Sequence, residues 1–194
     1  MTAQFSDLFI YNNNEYSIAD LGGDELFHPM QHGLFPESSC TACWKGFVAT
    51  YEVQEDFLCL KNLDINVEKI RKLFFWSSSI PKLNGKKPSG GESLYNSFSH
   101  HFQDVNLPLP FTGWILIGGE FIHELYVHMG YHPAWKYKNV IKLDFEKGRL
   151  ISSLDVSKAM LDYRKEFTDQ GGEASTSVEG KEPDSWIEEY LKNQ

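Results

Sequence analysis

The chain has few cysteines, no long apolar run and no concentrated basic charge, and each shortage closes off a class of function. Cys40, Cys43 and Cys59 are its three cysteines. That odd number, in a sequence opening on "MTAQFSDLFIYNNNEYS" without a basic segment leading into an apolar one, predicts reduced thiols in a cytoplasmic protein rather than a disulfide framework. No window approaches the roughly 18 apolar residues of a membrane-crossing helix, so no membrane partner is expected. Acidic residues outnumber basic ones 27 to 18, for a formal net charge of -9. A nucleic-acid backbone would meet net repulsion, and the one dense basic cluster, "NGKKPSG", is too short to form a binding stripe. The balance suits a basic protein partner instead. Also missing are the G-x-S-x-G elbow, the Walker-type phosphate loop and the G-x-G-x-x-G turn, which leaves nucleophilic hydrolysis and nucleotide binding unsupported.

What is present is β-type patterning in 194 residues that are 41% hydrophobic, enough for one domain with its own core. "DLFIYNNNEYSIAD" reads as an opening hairpin around Asn12 to Asn14, and residues 20 to 43, with their scattered Gly and Pro, as a long structured loop. In "WKGFVATYEVQEDFLCLKNLDIN", Phe47, Ala49, Tyr51 and Val53 share one strand face. After a turn at Gln54 to Asp56, the second strand is apolar on both faces, as in a covered sheet. "FTGWILIGGEFIHELYVHM" suggests a third hairpin turning on Gly118 and Gly119, with Trp114 opposite His123. "YKNVIKLDFEKGRLISSLD" suggests a fourth at Lys147 and Gly148, with Ile141, Leu143, Phe145, Leu150 and Leu154 inward.

Short helices are expected over "VEKIRKLFFW" and "ESLYNSFSHHFQDV", separated by a loop at 77 to 93. Another is expected at "SKAMLDYRKEF", where Ser157 is the cap and Val156, Met160, Tyr163 and Phe167 form the stripe. The fold class is therefore mainly β, a hairpin sandwich or partly open barrel with two or three short peripheral helices. Residues 1–168 are assigned to a single domain, 169–183 to a disordered linker and 184–194 to a short amphipathic helical tail.

Three constellations bear on function. "HELYVHMGYH" resembles the zinc-protease signature H-E-x-x-H, but its second histidine follows the glutamate by four residues rather than three. On a regular strand His123 and His128 would point to opposite faces, with His123 in the core beside Phe121, Leu125 and Val127. His28, His32, Cys40 and Cys43 have H-x3-H and C-x2-C spacings and are the one candidate set for structural zinc. Cys43, however, directly precedes a strand that could bury it as a small hydrophobe. No catalytic residues and no cofactor are expected. The third constellation is aromatic. Trp44, Tyr126, His128, Tyr131, His132 and Trp135 offer large rings with polar tips on loops, a composition suited to gripping a protein or small ligand and equally suited to plugging one end of a sheet.

The segments "WKGFVATYEV…LCLKNLDI" and "FIHELYVHMGYHPAWKYKNVIKLDFEKGRLI" resemble a small bacterial family with a W-[RK]-G-[FY] strand, an L-x-L strand and a Y-V-H-M-G-Y loop. Cys43 and residues 77 to 110 depart from that pattern. The resemblance implies an immunity-like or accessory factor and brings no catalytic residues. Three functions are expected from these readings. The first is a non-enzymatic immunity or inhibitor-type protein that neutralises a protein partner. The second is a small-ligand-binding barrel used for sequestration, and the third a metal- or thiol-dependent enzyme.

Overall fold

A computed structural model describes residues 2–38, 40–67, 80–89, 98–169 and residues 185, 187, 189 and 190. Strands β1 (Leu8–Tyr11) and β2 (Asn14–Gly23) form the expected opening hairpin, with Asn12 and Asn13 at φ 49° and 62°. Two successive positive φ angles give a tight turn the twist that matches its strands. β3 (Phe47–Gln54) and β4 (Phe57–Ile65) join the same way through Glu55 and Asp56, at φ 48° and 68°. The faces read from the sequence hold here. Ala49 and Tyr51 are fully buried, Phe47 and Val53 pack on the same cluster, and Leu58, Cys59 and Leu60 are buried in succession.

The remaining strands are β5 (His100–Phe102), β6 (Leu107–Pro108), β7 (Gly113–Phe121), β8 (Tyr137–Glu146) and β9 (Arg149–Asp155). They complete a nine-stranded mixed sheet in which β1 runs parallel to β3 and the other pairings are antiparallel. Pairing passes from β3 through β1, β2, β7, β8 and β9 to β4, and β4 returns to β3, so the sheet bonds as a ring. Its weakest join is β4 to β9. There one residue pair, Phe57 and Arg149, is flanked by hydrogen bonds from Leu58 N to Gly148 O and from Leu150 N to Asp56 O, each 2.8 Å. The result is a partly open barrel.

Phe9, Leu58, Leu60, Leu63, Ile115, Ile117 and Leu143 are fully buried inside the ring. Outside it, α1 (Ser157–Asp169) covers β8, and Val156, Met160 and Tyr163 join Leu116, Val140, Trp135 and Ile187 in a second core. Residues 185, 187, 189 and 190 are helical.

Four local readings change. Gly118 and Gly119 do not turn: both lie inside the continuous strand β7, which pairs with β8 and β2. Their value is the missing Cβ, because one at Gly118 would sit 2.4 Å from the Tyr137 ring. Leu154 is exposed rather than inward. A bulge in the β8–β9 pairing, where Leu150 opposes Phe145 but Ser152 opposes Asp144, inserts Ile151 and reverses the parity of the rest of β9. The helix expected at 92–105 is strand β5 over residues 100–102. The four-residue spacing of Phe98 and Phe102 is even, so it fits a strand as well as a helix. Ser157 ties α1 to β8 by accepting from Val140 N at 2.9 Å, while Asp155 accepts from Ser157 N and does the capping. The helix expected at 67–76, beyond Val67, residues 77–79 and 90–97, and the linker from residue 170 lie outside the described residues.

Candidate functional site

The N-terminal residues draw the two aromatic loops together. Gln4 N donates to Gly130 O at 2.8 Å and Phe5 N donates to Ala42 O at 2.8 Å. The Gln4 side chain closes the other side, donating to Thr41 O at 2.8 Å and accepting from Trp44 N at 3.1 Å. Residues 2–5 thus run between the 41–44 turn and the Gly130 loop, and Trp44 and Tyr131 come to one end of the barrel. Trp44 is 62% exposed, and Tyr126 and Tyr131 are 51% each. Met129 adds a further exposed apolar side chain.

Tyr131 also belongs to the end of the barrel below it. Its hydroxyl pKa is raised by burial, and then by the proximity of Asp7 and Cys43, so the phenol stays neutral. Tyr126 Oη lies 2.8 Å from His128 Nδ1, a contact that fixes the orientation of both exposed rings. His132 is half-buried, with its ring centroid 4.7 Å from that of Phe121 and 5.3 Å from that of Tyr126. Its pKa is lowered by burial and by the charge of Lys136. Four of the named aromatic positions therefore line the outside: Trp44, Tyr126, His128 and Tyr131.

Trp135 does not join them. It is 3% exposed and packs in the outer core. The 3-10 turn at Ala134–Lys136 buries all three of its residues, and Arg164 in α1 donates to Trp135 O and Tyr137 O at 2.6 and 3.0 Å. His123 also moves. It sits exposed in a 3-10 turn, His123–Leu125, where strand parity does not apply.

Cys40 and Cys43 share a turn, with Cys43 N donating to Cys40 O at 3.1 Å. Cys43 is buried with its Sγ 3.3 Å from Phe47 O, and burial pushes its thiol pKa up. Such a thiol is protonated and a poor nucleophile. His28 Nδ1 accepts from Met30 N, and the His32 ring stacks on Phe27 at 5.4 Å. Among the described residues, no three His, Cys, Asp or Glu side chains converge as a metal ion would require. No helix among them is long and apolar enough to cross a membrane.

Sequence reasoning missed Gln4, Met129 and Asp7. Each takes its place from pairings made some 40 residues away or more, or from a loop with no periodicity, and nothing local marks it. Compared with known proteins, the chain matches no family model, no curated protein and no solved structure. The resemblance drawn from its two signature segments rests on those segments alone.

Proposed function

We propose that the protein is a non-enzymatic binding factor of the immunity or inhibitor type, acting in the cytoplasm, whose contact surface is the end of the barrel carrying Trp44, Tyr126, His128 and Tyr131. The observation that carries this reading is the joint exposure of Trp44, Tyr126 and Tyr131 on two loops that Gln4 pins together. Large rings held by backbone hydrogen bonds bring contact area at low entropic cost, and such residues dominate the energetics of protein interfaces. The acidic balance of the chain, -9 overall, favours a basic partner by steering. A ligand-binding barrel is the second reading, but the fully buried side chains of Phe9, Leu58, Leu60, Ile115 and Leu143 occupy the ring interior. A small ligand would have to be met on the outer surface.

The test is affinity capture from cells of the source with the wild type and with a Trp44→Ala, Tyr131→Ala double variant, followed by titration of the purified captured protein. A protein bound by the wild type, and bound about tenfold or more weakly by a variant of unchanged Tm, supports the reading. Equal binding by both proteins removes this surface as the interface.

A further inference from the structure

The sheet bonds as a ring, yet one stretch of strand edge is left without a partner. β4 meets β9 at Phe57 and Arg149 alone, beside the bond from Leu150 N to Asp56 O. Beyond that point β4 bonds elsewhere. Leu58 O accepts from Leu109 N at 3.0 Å, and Cys59 and Leu60 pair with Pro108 and Leu107 of β6. β9 therefore runs on from Ile151 to Asp155 bonded on one side only, to β8. All five residues are exposed, with Ile151 at 59% and Leu154 at 38%.

The register shows which backbone groups are free. Val156 N donates to Val140 O at 2.9 Å, and Asp155, Leu154, Ser153 and Ser152 lie opposite Ile141, Lys142, Leu143 and Asp144 without a shift. Backbone groups alternate in an antiparallel strand, so Ser152 and Leu154 bond to β8 while the N–H and C=O of Ser153 and the N–H of Asp155 point away from it. Among the described residues nothing pairs with these outward groups. An edge of this kind is a template for another strand, and proteins that keep one unpaired commonly place lysine or proline along it. From Leu150 to Asp155 the chain has neither.

Length and symmetry select the occupant of this opening. The β3–β4 turn stands beside Leu150 at one end, and at the other Val156 turns in to β8 and α1 begins at Ser157. A two-fold axis relating two antiparallel strands sets one residue opposite itself. Here that residue is the middle one of the opening, Ser153, whose backbone groups face outward as a hydrogen-bonded self-pair requires. We propose that the open edge of β9 pairs with the same edge of a second copy of the chain, antiparallel and about an axis at Ser153, to form a symmetric dimer. Ser153 N of each copy donates to Ser153 O of the other, Ser152 lies opposite Leu154, and Ile151 comes level with Asp155. Each copy fills the opening of the other, so association closes at two. The exposed side chains of Ile151 and Leu154 lose water in the contact. A pairing of this length is small, and the dimer is a weak one that forms with concentration. It is independent of the aromatic contact surface, none of whose residues is in β9.

The test is sedimentation velocity of the full chain from about 1 μM to about 1 mM, with amide hydrogen exchange at both ends of that range. The wild type should pass from monomer to dimer, and exchange at Ser153 should slow in the concentrated sample. Because each copy carries a net charge of -9, the dimer should tighten as salt screens the repulsion. Ser153→Pro deletes a donor that β8 does not use, on an edge where proline is tolerated, so it should keep its Tm and dimerise about tenfold or more weakly. Ser153→Lys, whose backbone is intact, sets two ammonium groups opposite each other at the axis and should lose the dimer in the same way. Ser153→Glu should also be monomeric, and an equimolar mixture of the Lys and Glu variants should recover association that neither has alone. The Trp44→Ala, Tyr131→Ala double variant should dimerise as the wild type does. A chain that stays monomeric to about 1 mM overturns the proposal, as does a dimer that survives in Ser153→Lys. A dimer lost in the Trp44, Tyr131 variant belongs to the aromatic surface and overturns the assignment to β9.

Discussion

The Asp7 carboxylate stands 2.6 Å from the Lys45 ammonium and, with the same oxygen, accepts from Ala49 N at 2.8 Å. One short side chain thus joins the start of β1 to the strand that pairs parallel with it. Replacing Asp7 with Ala removes both bonds and should destabilise by about 2–3 kcal/mol in urea unfolding, whereas Asn keeps an acceptor for Ala49 and should cost about half as much. Because Asp7 also helps raise the Tyr131 phenol pKa, Asp7→Asn should bring that pKa down, measured by ultraviolet titration.

Gly118 and Gly119 are neighbours with different surroundings. A Cβ at Gly118 would meet the Tyr137 ring at 2.4 Å, but one at Gly119 would meet Tyr16 at 3.1 Å, the edge of a side chain that can give way. Gly118→Ala should therefore cost about 1–3 kcal/mol by overpacking, and Gly119→Ala clearly less. A hairpin turn at this pair would instead make both substitutions costly through positive φ.

The difference between these glycines shows where the sequence is legible. Hairpins closed by two turn residues, Asn12–Asn13, Glu55–Asp56 and Lys147–Gly148, can be read because turn and strands lie within one short window. The Gly-Gly pair sends the same signal for another reason, the approach of a ring from 19 residues away. The parallel pairing of β1 with β3 and the single-pair seam from β4 to β9 leave no local mark, so the ring could be read only as a sandwich or barrel. At the site, the exposed rings follow from composition, but their assembly through Gln4 does not. Trp135 and Trp44 look alike in sequence, and only the packing of α1 tells them apart.

Trp44 and Trp135 give the sharpest contrast among the aromatic residues. With 62% of its surface exposed against 3% for Trp135, Trp44 contributes little packing. Trp44→Ala should change stability by no more than about 0.5 kcal/mol, while Trp135→Ala should cost about 3–5 kcal/mol. Chemical denaturation of both variants decides whether Trp44 is available for contact and Trp135 is structural.

His132 makes stability depend on pH. Burial first, and then the charge of Lys136, lower its folded pKa below the ordinary value of 6.5. Between those two values the unfolded chain binds more protons than the folded one, so this contribution is complete above about pH 6.5 and is lost as pH falls toward the folded pKa. Glu52 acts at lower pH. Burial would raise its pKa, but hydrogen bonds from Lys61 and Gln54 and the Lys61 charge hold it below 4.5, so its contribution is lost only under more acidic conditions. In His132→Phe, which keeps a ring against Phe121 and Tyr126, the fall in Tm just below pH 6.5 should flatten while the more acidic fall persists. An unchanged slope in the upper window would assign that dependence to another group.

Ile187 tests whether the C-terminal helix belongs to the domain. Its side chain is fully buried in the outer core with Leu116, Val140, Trp135 and Met160. Tyr190 Oη reaches Asp162 Oδ2 at 3.4 Å on the exposed side of the same contact. Ile187→Ala empties space between two elements that already touch, and partial collapse can recover some of the loss. The cost should therefore fall near the lower end of the range for buried aliphatic truncation, about 2–3 kcal/mol. Tyr190→Phe removes one long, partly solvated hydrogen bond and should cost under about 1 kcal/mol. The two measurements separate intramolecular docking from a tail held by another molecule. If the helix docks within its own chain, the midpoint of denaturation of Ile187→Ala shifts by the same amount at every protein concentration. If it docks on a second copy, the shift shrinks as the protein is diluted.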